Sequence, residues 1–201
     1  MFLIFCFFVN MKRATPLLLS ISIFLFCGFL KSEKAFSQEN QLNRINLKWN
    51  MYQQLEQTNR PFIAYTAHQT THKYRATQKG SQFSLKFTVG VALDSKKSTL
   101  DLRKLASLDE EGQKKLLNHE QGHSDLAVVY GRILYKQLSK QVYTVKNYQN
   151  EVKKIYDDTM KELLEMNFKY DIETSHGEEL EPQDKWDLYF KNQLKINALG
   201  R

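Results

Sequence analysis

The chain predicts an α+β fold: an N-terminal antiparallel sheet, then a hairpin of two long helices and a C-terminal helix. Three observations carry this expectation. Phe83, Leu85, Phe87, Val89, Val91 and Leu93 alternate with polar or small residues, the two-residue period of a strand with one buried face. Leu116, Leu117, Leu126, Ala127, Tyr130, Ile133, Leu134 and Leu138 instead recur at helical spacing. Strand-like runs come first and helical runs follow, which is the order of an α+β domain rather than of repeated βαβ units.

In chain order, Ile45, Leu47 and Trp49 alternate and suggest a short strand. Residues 61–67 (PFIAYTA) and 71–77 (THKYRAT) are weaker strand candidates, and Lys79-Gly80 marks the turn before the 83–93 strand. No helix-length crossover separates these runs, so antiparallel pairing is expected. Ser107-Leu108-Asp109-Glu110 has the form of a capping box and opens a helix over about 108–139. A second helix is expected over about 144–167, with Tyr148, Val152, Ile155, Thr159 and Leu163 on one face. A third starts near Pro182, a residue suited to a first helical turn, and carries Trp186, Phe190 and Leu194. The stretch between the second and third, residues 170–177, reads as a polar loop.

The N-terminus has a different character. Met11-Lys12-Arg13 is a basic start, Leu17–Leu30 is apolar, and Ala35-Phe36-Ser37 places small residues around a cleavage point before Gln38. This is the pattern of a secretory signal peptide, with residues 1–10 as an upstream extension. The apolar run is short for a spanning helix, which needs about 20 apolar residues, so membrane association is expected only through an uncleaved signal. The expectation is an exported protein, periplasmic or secreted, with residues 38–201 as one domain. Both cysteines, Cys6 and Cys27, fall in the removable segment, which leaves the mature chain without disulfides or sulfur ligands. Removing Lys12, Arg13, Lys31, Lys34 and Glu33 from 29 basic and 22 acidic residues leaves 25 and 21, a net charge of +4. The remaining charges of both signs are interleaved along the helices, so no nucleic-acid partner is expected.

The chemistry-bearing motif is His119-Glu120-Gln121-Gly122-His123, inside the first long helix. Residues four apart lie about one turn apart on the same face, so both imidazoles can reach one Zn²⁺ at about 2.0–2.1 Å. Glu120 lies about 100° round the helix, off the ligand face but within reach of a metal-bound water, and is the candidate catalytic base. Gly122 costs about 1 kcal/mol relative to Ala in mid-helix, a cost that a close neighbour would explain.

A catalytic zinc usually has three protein ligands. His176 is the candidate for the third, because a helix hairpin returns the 170–177 segment beside the first half of the first helix. Asp171 and Glu173 are the substitutes. Asp125 points about 240° away from His119 and reads as packing or hydrogen-bonding support. Tyr170 either donates to an oxyanion or covers the core at a helix end. His68 and His72 read as surface residues at a turn.

LLNHEQGHSDLA, followed by YDIETSHG and then Gln183 and Trp186, resembles the bacterial family known as domain of unknown function 922. Its members are described as predicted secreted zinc-dependent proteases. The resemblance runs over about residues 45–195 and implies a zincin-like or gluzincin-like protein. It matches His119, His123 and His176 to the family's motif histidines and Glu120 to its catalytic acid. The function expected is therefore zinc-dependent hydrolysis of a peptide or protein substrate. The alternative is a non-catalytic zinc-binding envelope scaffold or binding module. The size of the domain suggests modest room for a deep cleft.

Overall fold

The computed structural model describes residues 42–196. The expectations for residues 1–37 (the upstream extension, the signal segment with Cys6 and Cys27, and cleavage before Gln38) lie outside the described residues. No helix among the described residues is long and apolar enough to cross a membrane.

The architecture is α+β, with small sheets first and helices after. A 3₁₀ turn, Trp49–Met51, leads into β1 (Gln53–Leu55), β2 (Ala64–Tyr65), β3 (His68–Lys79), β4 (Gln82–Leu93) and β5 (Thr99–Asp101). The helices are α1 (Leu102–Ala106), α2 (Glu110–Lys140), α3 (Tyr148–Thr174) and α4 (Leu180–Ile196).

The alternating 83–93 run is β4, paired antiparallel with β3 from His68↔Leu93 to Lys79↔Gln82 across a two-residue turn. The weak 71–77 candidate is thus the middle of a twelve-residue strand. The sheet expectation needs correction. Among the described residues there are two sheets, the β3–β4 hairpin and a three-stranded sheet ordered β1-β5-β2. In the latter, β1 and β5 are parallel. The connection between them runs through β2 and the whole hairpin, so a parallel pair forms without a helical crossover. Residues 45–49 do not join a sheet. Gln121 on α2 bonds this segment instead, accepting from Leu47 N at 2.9 Å and donating to Ile45 O at 2.8 Å. One side chain thus takes the place of a neighbouring strand.

α2 is the central element. On one side Ala127, Val128, Leu134 and Leu138 pack against Phe87, Val89 and Val91 of β4. On the other, Leu126, Val129 and Tyr130 meet Tyr170, Trp186 and Phe190 from α3 and α4. Each such side chain contributes roughly 1.5–3 kcal/mol on full burial. The middle of α2 is therefore held between the hairpin and the other helices, and the histidine motif lies at the edge of this region. Its N-cap is Asp109, whose carboxylate accepts from Gly112 N at 2.7 Å. Ser107, expected in that role, instead ends the short helix α1 and donates to Lys104 O at 2.6 Å.

α3 runs seven residues past its expected end. Its sequence holds no proline or glycine before Gly177, and Tyr170 and Thr174 are fully buried one turn apart. The segment read as a loop is thus the last helical turn. Ser175, His176 and Gly177 then take positive φ values of 46°, 56° and 89°. Through this reversal His176 N reaches Asp171 O at 2.9 Å and Gly177 N reaches Thr174 O at 2.9 Å, closing the helix end. Pro182 sits in the first turn of α4, where its missing N–H costs no helical hydrogen bond.

Candidate metal centre

His119 and His123 leave α2 toward the C-terminal turn of α3. His119 Nε2 lies 3.2 Å and His123 Nε2 3.0 Å from the same oxygen, Asp171 Oδ1. His176 Nδ1 is 3.6 Å from that oxygen, on a side chain 79% exposed. The donor atoms of His119, Asp171 and His176 all lie within 4.8 Å of one another. Ligands on a tetrahedral zinc, with bonds of about 2.0–2.2 Å, sit roughly 3.3–3.5 Å apart, so the donor types suit the ion and the 3.0–3.6 Å approaches to Asp171 Oδ1 are near ligand spacing, while His123 stands outside the group of three.

The rings are held from behind. His123 Nδ1 is 2.7 Å from Asn167 Oδ1, and Asn167 Nδ2 donates to Leu163 O at 2.9 Å. The amide therefore presents its oxygen to the ring, and His123 Nδ1 donates. His119 Nδ1 has Gln183 Oε1 and Thr174 Oγ1, each at 3.4 Å. Tyr170 stacks on the His119 ring at 4.7 Å and 18°. Such support orients the rings and turns Nε2 outward.

The electrostatics follow from this packing. Burial opposes ionisation of Asp171, yet hydrogen bonds from His119 and His123 and their charge hold it well below the usual carboxylate range. Burial likewise opposes a charge on His123, but Asp171, Glu120 and Asn167 together raise its pKa above the ordinary imidazole value.

Gly122 has the close neighbour its position demanded, and that neighbour is Tyr170. A Cβ there would lie 2.2 Å from the Tyr170 hydroxyl oxygen and 2.5 Å from Cζ. Tyr170 cannot retreat, because its hydroxyl donates to His119 O at 3.0 Å and accepts from Gln183 Nε2 at 2.8 Å. Its hydroxyl is thus occupied in the core, and burial raises its pKa. This is the covering role rather than the oxyanion role. Gly122→Ala is expected to destabilise by about 1–3 kcal/mol through overpacking, outweighing the roughly 1 kcal/mol gain in helix propensity. Urea denaturation measures it, and a variant more stable than the parent would reject the account. Gly177 makes a second close approach, where a Cβ would lie 2.7 Å from His119 Cβ.

Glu120 is 5% exposed, and its Oε2 accepts from Thr66 Oγ1. Thr66 in turn accepts from the Tyr52 hydroxyl at 2.6 Å. Asp125 is buried away from the cluster, paired with Arg44 at 2.8–3.1 Å and bonded by Gln121 at 2.8 Å. It fastens the N-terminal segment, as its angle on the helix required. Glu173 is turned away, accepting from Trp186 Nε1 at 2.9 Å.

The site opens into a cleft of about 1030 Å³, larger than the domain's size suggested. Its walls come from residues 61–68 on one side and from α3 on the other, with His119, Glu120 and His123 between. His68 and His72 are not turn residues. They share the inner face of β3, where His68 Nε2 lies 3.0 Å from Ser124 Oγ and the His72 ring meets Tyr156 at a tilt, 5.0 Å between centroids. Burial, with His123 nearby, lowers the His68 pKa to about 4. Thr66 and Asn167 are supporting residues that motif reading passed over, and Gln183, quoted there only for the family resemblance, is a third. The i,i+4 spacing of Asn167 and Asp171 was the one signal available, and it needed the longer α3 to be seen.

The fold and site define an α+β protein with a histidine-carboxylate cluster between two antiparallel helices. A family model described as bacterial protein of unknown function, DUF922, matches residues 40–177, and the chain belongs to that family. The match includes both helix histidines, Glu120, Asp171 and His176, and ends before Gln183 and Trp186. No curated protein and no solved structure matches the chain.

Proposed function

We propose that this protein is a zincin-like, zinc-dependent hydrolase of peptide bonds, with His119, His123 and Asp171 as ligands and Glu120 as general base. The observation that carries the reading is the convergence of two imidazoles on one carboxylate oxygen, beside a buried glutamate in an open cleft. Asp171 replaces His176 as third ligand in this reading. It approaches both helix histidines and stands on a helix, whereas His176, although grouped with His119 and Asp171, is largely exposed and lies farther from the shared oxygen. Glu173 is excluded by its bond to Trp186.

Zinc, when bound, would supply Lewis-acid polarisation of the scissile carbonyl and a more acidic water. The protein's own groups do the rest. Glu120, oriented by Thr66 and Tyr52, takes a proton from the attacking water and passes it to the leaving nitrogen. Asn167, Gln183 and Thr174 hold the rings so that neither Nε2 turns away. The test combines metal analysis of the purified protein with peptide hydrolysis by Glu120→Gln.

The same reading places the protein outside the cytoplasm, on the strength of the residues 11–37 pattern. N-terminal sequencing of the exported protein is expected to begin at Gln38. A chain still carrying Leu17–Leu30 would reject cleavage and favour an anchor.

A further inference from the structure

We infer that the cleft takes an extended polypeptide, added as a strand along the outer edge of β2, with a bulky apolar side chain held against Leu164 and Phe168. This rests on the peptide-hydrolase reading of the same site and names its substrate class.

The backbone supplies the first half. β2 is the outer strand of the order β1-β5-β2. Ile63 O accepts from Asp101 N at 2.8 Å, Ala67 N donates to Ser98 Oγ at 3.0 Å, and Ala67 O accepts from Asp94 N at 2.8 Å. Residues 63 and 67 thus turn their polar groups toward β5 and the turn before it. The two-residue period of extended chain turns those of Ala64 and Thr66 to the opposite edge. Among the described residues no strand pairs there. Residues 61–68 also line the cleft that holds Glu120, so this edge runs beside the chemistry. An unpaired edge recognises a partner that offers alternating N–H and C=O groups, which is another stretch of backbone.

The side chains supply the second half. The exposed face of α3 is laced with ion pairs one turn apart: Lys153–Asp157, Lys154–Asp158, Lys161–Glu165 and Lys169–Glu173. Leu164 and Phe168 interrupt it, 71% and 67% exposed and one turn apart. Both line the cleft. On the β2 wall, Phe62 and Tyr65 are also exposed, with ring centroids 5.8 Å apart. Apolar groups on both walls of one cleft mark a binding surface, since isolated exposed apolar residues would not gather this way.

The test uses the full-length zinc-loaded chain carrying Glu120→Gln, so that peptides bind without being consumed. Short fluorescein-labelled peptides with Phe, Gly or Asp at the central position are titrated by anisotropy. The Phe peptide is expected to bind about tenfold or more tighter than the Asp peptide, in line with burial of one large side chain. Phe168→Gln and Leu164→Gln, both on an exposed face, are each expected to erase most of that preference, while Leu188→Gln on α4 leaves it intact. N-methylation of the peptide backbone is expected to weaken binding at alternate positions only. Equal binding of the three peptides, indifference to both α3 variants, or indifference to N-methylation overturns the inference. Hydrolysis by the unsubstituted chain separates this from the parent reading. Apolar peptides that bind but are never cut sink the hydrolase and leave the inference standing. Cutting without regard to the central side chain does the reverse.

Discussion

Asp171→Asn is expected to lose stoichiometric zinc, as are His119→Ala and His123→Ala, while His176→Ala keeps most of it. The three groups expected to matter meet at one point, with Asp171 Oδ1 lying 3.2 and 3.0 Å from the two Nε2 atoms. Removing any one leaves two protein ligands, too few for a catalytic zinc that normally has three. Asparagine preserves size but removes the negative charge, so the asparagine variant isolates the carboxylate's part. His176 starts from an exposed position on a helix-ending loop, and would have to be ordered at the site to contribute. Asn167→Ala should be milder, because a lost partner behind a ligating ring typically costs about 10–100-fold in affinity or activity. Elemental analysis after gel filtration, followed by competition against a chelator, reads all five variants. Full zinc in Asp171→Asn together with an empty His176→Ala would return the third-ligand role to the histidine. Acid should also release the metal, since ligation needs neutral imidazoles. The raised pKa of His123 sets that loss at a higher pH than an ordinary imidazole would give.

The residues that were legible in the chain are those whose role is set by local periodicity. The strict alternation of 83–93 could only be a half-buried strand, and the His119–His123 spacing could only place both rings on one helical face. What the chain hid depends on neighbours distant in sequence. The polar run 170–174 looks like a loop until Tyr170 and Thr174 are seen buried against α2, because a helix can be held by packing where its composition is neutral. Asn167 and Gln183 are ordinary surface types, and only the antiparallel return of α3 and the docking of α4 bring them behind the histidines. Thr66 reaches Glu120 from just past a strand of two residues, too short for any periodic signal. The parallel β1–β5 pair was hidden for a related reason, since pairing between three-residue strands leaves no pattern to read. Gly122 shows the opposite case. A residue that local propensity disfavours pointed correctly to a close contact, although the contact proved to be an aromatic ring from another helix.

Glu120→Gln is expected to abolish peptide hydrolysis while leaving zinc and fold in place. General-base catalysis contributes roughly 10²–10⁴-fold, so kcat should fall by about that much. The glutamate lies about 100° round the helix from His119 and about 60° from His123, which keeps it out of the ligand set. Glutamine has nearly the same shape and keeps a carbonyl oxygen able to accept from Thr66, so the Tyr52–Thr66 chain that holds the side chain survives. What it lacks is the ability to take a proton. Thr66→Val gives the complementary measurement. It leaves the base intact but frees it to rotate, and is expected to lower kcat by a smaller factor. The pair separates catalysis from architecture. A non-catalytic zinc scaffold would keep its metal and binding in both variants, and its parent would show no turnover to lose. A hydrolase would show turnover in the parent, a reduced rate in Thr66→Val and almost none in Glu120→Gln, with the same zinc content in all three. Equal turnover in parent and Glu120→Gln would remove the glutamate from the chemistry, leaving the metal cluster to be explained by binding alone.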